Sequence, residues 1–206
     1  MSQFDYKPIY RRNLPHIQPP GATLFVTFRL AGSLPKHVLD EWQSEKQMLS
    51  PRSTQNWDFQ QRWLMKFESL LDNPDGGPTW LKDDRIASLI SESMHYRDGK
   101  VYTLDAFSIM PTHVHLVFTP LLMEEKSDKY HSLASVLHSL KGYTAHEANR
   151  IIGHEGAFWA HESFDHVVRD EAEFQRILLY VVNNPVKAGF VQNWQEWKWN
   201  YSRYDI

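Results

Sequence analysis

The stretch Met110-Pro-Thr-His-Val-His-Leu-Val-Phe118 constrains this chain more than any other. Its apolar and polar residues alternate, which marks a strand with one face on a core. Val114, Leu116 and Phe118 then face that core. His113 and His115 share the opposite face, because side chains two apart in a strand point the same way. Two imidazoles side by side on a rigid surface suit a metal ion. A bare His-x-His is common in alternating strands, where both histidines are simply surface residues. The Met-Pro break before the pair and the apolar segment after it favour the functional reading.

The rest of the chain supplies a frame for that strand. Leu24-Phe-Val-Thr-Phe-Arg-Leu30 is β-branched and aromatic, which predicts a first strand. Helical spacing follows at Val38, Leu39, Trp42 and Leu49, stopped by Ser50-Pro51. Further helices are expected over 59–71 and 82–96, with a Gly/Pro/Asp loop over 72–78 between them. Strands are expected over 101–109 and 113–119, then a helix over 131–152 and a strand over 164–168. A last helix over 171–183 is closed by Asn184-Pro185. This order predicts an α+β domain, with a split β-α-β antiparallel sheet and helices on one face. The 206 residues fit a single domain. Residues 1–21, with four prolines, read as an arm, 31–78 as a helical insertion, and 190–206 as an aromatic tail.

Composition removes several chemistries. There is no cysteine, so disulfides, zinc thiolates and thiol catalysis are excluded. No apolar run of about 18 residues exists, and the N-terminus lacks a signal-peptide stretch, so a soluble, cytoplasmic protein with no membrane partner is expected. A net charge of −3 counts against indiscriminate duplex binding, which needs a broad basic surface. It leaves room for a small, shaped nucleic-acid site. The eight tryptophans and nine tyrosines exceed what a core alone needs, and aromatic faces stack on unpaired bases. Ordinary packing remains the plainer account for most of them.

A tyrosine on the 131–152 helix joins the two histidines as a candidate. Tyr143 could attack a backbone phosphorus while a metal polarises the phosphate oxygens. Its alternative role is to continue the apolar stripe of Leu133, Val136, Leu137 and Leu140, which periodicity alone favours. Glu147 lies one helical turn after Tyr143 and could be a third, oxygen ligand; His146 competes with it, and a solvated charge is the other reading. Lys141, Arg150 and Arg169 could meet phosphates, although isolated charges are more often solvated. Imidazole suits manganese or zinc better than magnesium, while phosphate and carboxylate oxygens move the balance toward harder ions.

Many ordered blocks together resemble one family. They are Leu24-Phe-Val-Thr-Phe-Arg-Leu with Gly32-Ser-Leu-Pro, Gly77-Pro-Thr-Trp-Leu, and Tyr102-Thr-Leu-Asp-Ala-Phe-Ser-Ile-Met-Pro-Thr-His-Val-His. Ser139-Leu-Lys-Gly-Tyr-Thr-Ala, Phe158-Trp, Phe164-Asp-His-Val-Val-Arg-Asp, Tyr180-Val-Val-Asn-Asn-Pro-Val-Lys-Ala-Gly and Trp197-Lys-Trp follow. In this order they resemble the REP-associated tyrosine transposases, single-tyrosine relatives of insertion-sequence transposases. The resemblance implies a ferredoxin-like fold, His113 and His115 as ligands of Mg²⁺ or Mn²⁺, and Tyr143 as nucleophile. It implies cleavage and joining of single-stranded DNA at palindromic hairpins through a 5′-phosphotyrosine, by a monomer or homodimer. It also implies that the aromatic tail and the basic arm (Lys7, Arg11, Arg12) hold DNA. Two departures stand out: Thr112 where the family often has Asn, and Glu147 where an amide or histidine is common. A hairpin-binding protein without catalysis, and a metal phosphohydrolase that uses water, are the rival readings.

Overall fold

The computed structural model describes residues 9–11, 15–17, 19–35, 37–41, 44, 71, 77–124 and 128–206. Strands β1 (Ile9–Arg11) and β2 (Pro15–Ile17) pair as a small antiparallel ribbon within the expected arm. Most of the expected helical insertion lies outside the described residues; 37–41, 44 and 71 are helical.

The main sheet holds five antiparallel strands, in the order β6-β3-β5-β4-β7. These are β3 (Leu24–Leu30), β4 (Tyr102–Ile109), β5 (His113–Pro120), β6 (Trp159–Val167) and β7 (Asn200–Ser202). The fold is α+β, as the sequence order predicts. Strand β7 was hidden in the aromatic tail: it is three residues long and owes its place to the ladder with β4 rather than to its own pattern.

Helices α1 (Asp84–Arg97) and α2 (Leu133–Ile152) cover one face of this sheet. Their Ile86, Ile90, Met94, Val136, Leu140 and Ala148 pack with Val26, Phe28, Val114, Leu116 and Phe118. Side chains of this kind each contribute about 1.5–3 kcal/mol when fully buried. Arg97 ties the two helices by donating to the carbonyl and hydroxyl of both Ser93 and Ser139.

Helix α3 (Glu171–Val182) lies on the other face, which corrects the expectation of helices on one face only. Its Ile177, Leu178 and Val181 pack with Phe25, Ala106, Val117 and Phe164. The reason is visible in the strands: every residue of β3 is buried, so both faces of the central strands need cover. Asp170 caps α3 by accepting from the Glu173 amide at 2.8 Å. Helix α3 ends at Val182, just before Asn184-Pro185 as expected, but helical structure then resumes. Asn184-Pro185 opens a further turn, α4 (Asn184–Lys187), because proline is accepted in the first turn of a helix.

Candidate metal and nucleophile site

The two histidines stand where the alternation puts them, on the face opposite Val114, Leu116 and Phe118. They are not surface residues: both are 0% exposed. Across the ladders, His115 faces Thr27 of β3 and Ser108 of β4, and His113 faces Arg29. The imidazole edges converge, with the two Nε2 atoms 3.0 Å apart.

Hydrogen bonds on the far side of each ring set this arrangement. The Thr112 hydroxyl donates to the Leu71 carbonyl at 2.9 Å. Its single proton is thereby used, so at 2.9 Å it accepts from His113 Nδ1–H. In the neutral ring, Nε2 of His113 then carries the lone pair. His115 Nδ1 meets the Thr27 hydroxyl at 2.7 Å. Two lone pairs cannot face each other at this distance; a proton or a cation has to lie between them. Two nitrogens bound at a right angle to one cation, with bonds of about 2.1 Å, stand about 3.0 Å apart. The donor pair thus fits a divalent cation, and each Thr hydroxyl holds its imidazole at Nδ1, the place an outer partner takes when such a ring binds a metal. The Ser108 hydroxyl, paired across from His115, is fully buried and has no hydrogen-bond partner among the described residues. A bound water would satisfy it.

The aromatic group beside this pair comes from α3. The Tyr180 ring stands edge-on to His115, with centroids 5.8 Å apart, and edge-on to Phe25 at 5.9 Å. Phe25 stacks on His115 at 5.7 Å. One helical turn beyond Tyr180 is Asn184, 1% exposed, and Lys187 Nζ lies 5.0 Å from the Tyr180 ring centre. In the sequence the Tyr180-to-Gly189 block stands out only as one of the blocks that carry the family resemblance. The spacing Tyr180-x-x-x-Asn184 was the signal that could have found it, since it puts a phenol and an amide on one helix face.

Tyr143 and Glu147 require correction. Helix α2 packs on the Val114 side of the sheet, so Tyr143 is separated from His113 and His115 by the sheet itself. Its side chain points away even from that core and is 51% exposed. Glu147 is on the same helix, where it accepts from Arg150 at 2.7 Å and has His146 at 3.7 Å. It cannot join the imidazoles as a ligand from there. Among the described residues no three His, Cys, Asp or Glu side chains gather as a metal set. Among the described residues a third protein donor at the pair would have to be of another type, such as an amide.

No protein-family model matches the chain. Over 107 residues it is 26% identical to a Haemophilus influenzae protein named "Putative REP-associated tyrosine transposase". The aligned stretch is 49% of this chain and 59% of that relative's length. The chain resembles the REP-associated tyrosine transposases. A solved structure of a REP-associated tyrosine transposase bound to a REP hairpin aligns over 93% of this chain and 80% of its own, at 18% identity and a TM-score of 0.49.

The basic candidates have intramolecular partners. Lys141 Nζ donates to the Ala160 carbonyl at 2.7 Å, Arg150 pairs with Glu147, and Arg169 pairs with Glu173 at 3.0 Å. Lys141 and Arg150 are on α2, across the sheet from the histidines; Arg169 precedes α3. Lys7 and Arg12 lie outside the described residues, and Arg11 ends β1. No described helix is long and apolar enough to cross a membrane.

Proposed function

We propose that this protein cuts and rejoins single-stranded DNA at palindromic hairpins, with Tyr180 as covalent nucleophile and His113 and His115 as ligands of Mg²⁺ or Mn²⁺. The single observation behind this reading is the Tyr180–His115 contact on the buried histidine face. The similarity to a named tyrosine transposase supports it. That similarity spans only part of the relative, so activity, substrate and partner are proposals for this chain.

The chemistry follows from the residues. The Tyr180 phenol oxygen attacks the phosphorus and gives its proton to water. The bond from phosphorus to the 3′ oxygen breaks, and that oxygen leaves as a 3′ hydroxyl after taking up a proton. The 5′ phosphate stays on the tyrosine as an ester. Attack by another 3′ hydroxyl reverses the sequence, joins two strands and restores the phenol. The energy of the broken bond is kept in the ester, so no nucleotide cofactor is required. A cation between the imidazoles would supply positive charge to the non-bridging oxygens. Asn184, buried at the start of α4 four residues after Tyr180, offers an amide oxygen as third ligand. The Thr27 and Thr112 hydroxyls hold the rings so that both Nε2 lone pairs stay aimed at one point.

The test is incubation of the full chain with a labelled hairpin oligonucleotide and Mn²⁺. A denaturant-resistant adduct that disappears in Tyr180→Phe and persists in Tyr143→Phe is expected. Cleavage without any adduct would favour the water-using phosphohydrolase. Hairpin binding without cleavage would favour a binding protein.

A further inference from the structure

One charged side chain on the histidine face has no role in the chemistry above. Arg29 is the residue paired with His113 across the β3–β5 ladder, and it is only 9% exposed. Residues directly opposite in an antiparallel pair have Cβ atoms about 5 Å apart and point to the same face. The guanidinium therefore enters the same buried layer as the two imidazoles.

Its hydrogen bonds use one corner of the fork. Nη1 donates to the Leu30 carbonyl at 3.3 Å and to the Ser33 hydroxyl at 3.2 Å. Ser33 is itself fixed, donating to the Leu30 carbonyl at 2.8 Å. The turn that carries it needs Gly32 at φ 75°, and Gly77 packs so close that an added Cβ would stand 3.3 Å from Ser33 Cα. The turn thus clamps Nη1 and leaves Nε and Nη2 without a hydrogen-bond partner among the described residues. No carboxylate among those residues lies within 4.0 Å of the guanidinium. Glu162 on neighbouring β6 is close enough to act on it through space, but its carboxylate stands 3.4 Å from His161 Nδ1.

A buried cation with no carboxylate in contact is costly, and arginine cannot escape by losing its proton. We propose that Arg29 is a phosphate-binding residue of the site, its Nε–H and Nη2–H donating to non-bridging oxygens of the DNA phosphate that Tyr180 attacks. Guanidinium geometry matches this pairing, since two parallel N–H groups meet two oxygens of one phosphate. The assignment rests on the phosphodiester reading for its substrate. Its anion site does not.

Two measurements on the full chain test it. The first is adduct formation with the hairpin oligonucleotide and Mn²⁺. Arg29→Met should slow it on the order of 100-fold, as loss of a donor aimed at developing charge does elsewhere. Arg29→Lys should recover part of the rate, and Mn²⁺ binding should be unchanged in both. Adduct formation by Arg29→Met at the unaltered rate overturns the proposal. The second is thermal unfolding with and without inorganic phosphate. Phosphate should raise Tm of the unaltered protein and leave that of Arg29→Met unmoved. Equal shifts in the two proteins also overturn the proposal. If the unaltered protein forms no adduct and its phosphate shift still vanishes in Arg29→Met, the transesterase reading fails and the anion site stands.

Discussion

Tyr180 stands edge-on to His115, with ring centroids 5.8 Å apart, across the interface between α3 and the central strand β5. The contact joins a helix and a strand 65 positions apart in sequence and leaves both residues in one buried layer. Tyr180→Phe keeps the packing and removes only the phenol oxygen. The variant is expected to fold with Tm within a few degrees of the parent and to form no covalent DNA adduct. An adduct in that variant would sink the assignment.

The threonine hydroxyls behind the imidazoles should control metal affinity. Thr27→Val and Thr112→Val each remove the partner of one Nδ1. Loss of such outer partners weakens metal binding by about 10–100-fold. Titration of Mn²⁺ followed by electron paramagnetic resonance measures this directly. Unchanged affinity in both variants would mean that the rings do not need these bonds.

Acidification should destabilise the protein, beginning as the pH falls through the ordinary histidine value of 6.5. Burial pulls the His166 pKa below its usual 6.5, partly offset by Glu173, whose carboxylate stands 3.2 Å away. His131 is lowered by burial as well. The unfolded chain therefore takes up protons at a higher pH than the folded one does. This stability is complete above pH 6.5 and is lost as the pH falls through the folded values. For Glu173, burial works to raise the pKa, but the Arg169 hydrogen bonds and His166 outweigh it and the net shift is downward. Its contribution is present above 4.5 and is lost lower still. Tm measured from pH 8 to pH 4 should be level at first and then fall, with a shallower fall between pH 6.5 and 5 in His166→Gln. A rise in Tm over that interval would contradict the signs.

One buried hydroxyl bears on stability alone. Tyr102 OH donates to the Met94 carbonyl at 2.9 Å, an acceptor in the last turn of α1. Tyr102→Phe conserves the ring and leaves that carbonyl with one donor fewer. A loss of about 1–2 kcal/mol is expected, measured by denaturant unfolding. No loss would mean that water reaches the helix end.

Much of the frame was legible in the residues because it rests on local patterns. Leu24–Leu30 is a strand over the expected span, since β-branched and aromatic residues in a bounded run have few other uses. The 131–152 helix departs by two residues at its start, where Ser132 supplies the cap. The tail strand β7 and the turn after Asn183 were missed. The first is a pairing across the sheet and the second a proline tolerated in a first turn, and neither shows as periodicity.

The chain by itself determined that His113 and His115 share a face and that Val114, Leu116 and Phe118 share the other, because strand parity is a property of the backbone. It also determined that Tyr143 and Tyr180 each sit on a helix. Tertiary structure alone decided which tyrosine meets the histidines. A helix's periodicity tells which of its own sides is apolar, not which side of a sheet it will cover. Here α2 crosses from β5 to β6 over the Val114 face, and α3, following β6, folds back over the histidine face. Nearly every residue of β3 and β5 is buried, on both faces, so the partner of the imidazoles was set by chain connectivity and packing.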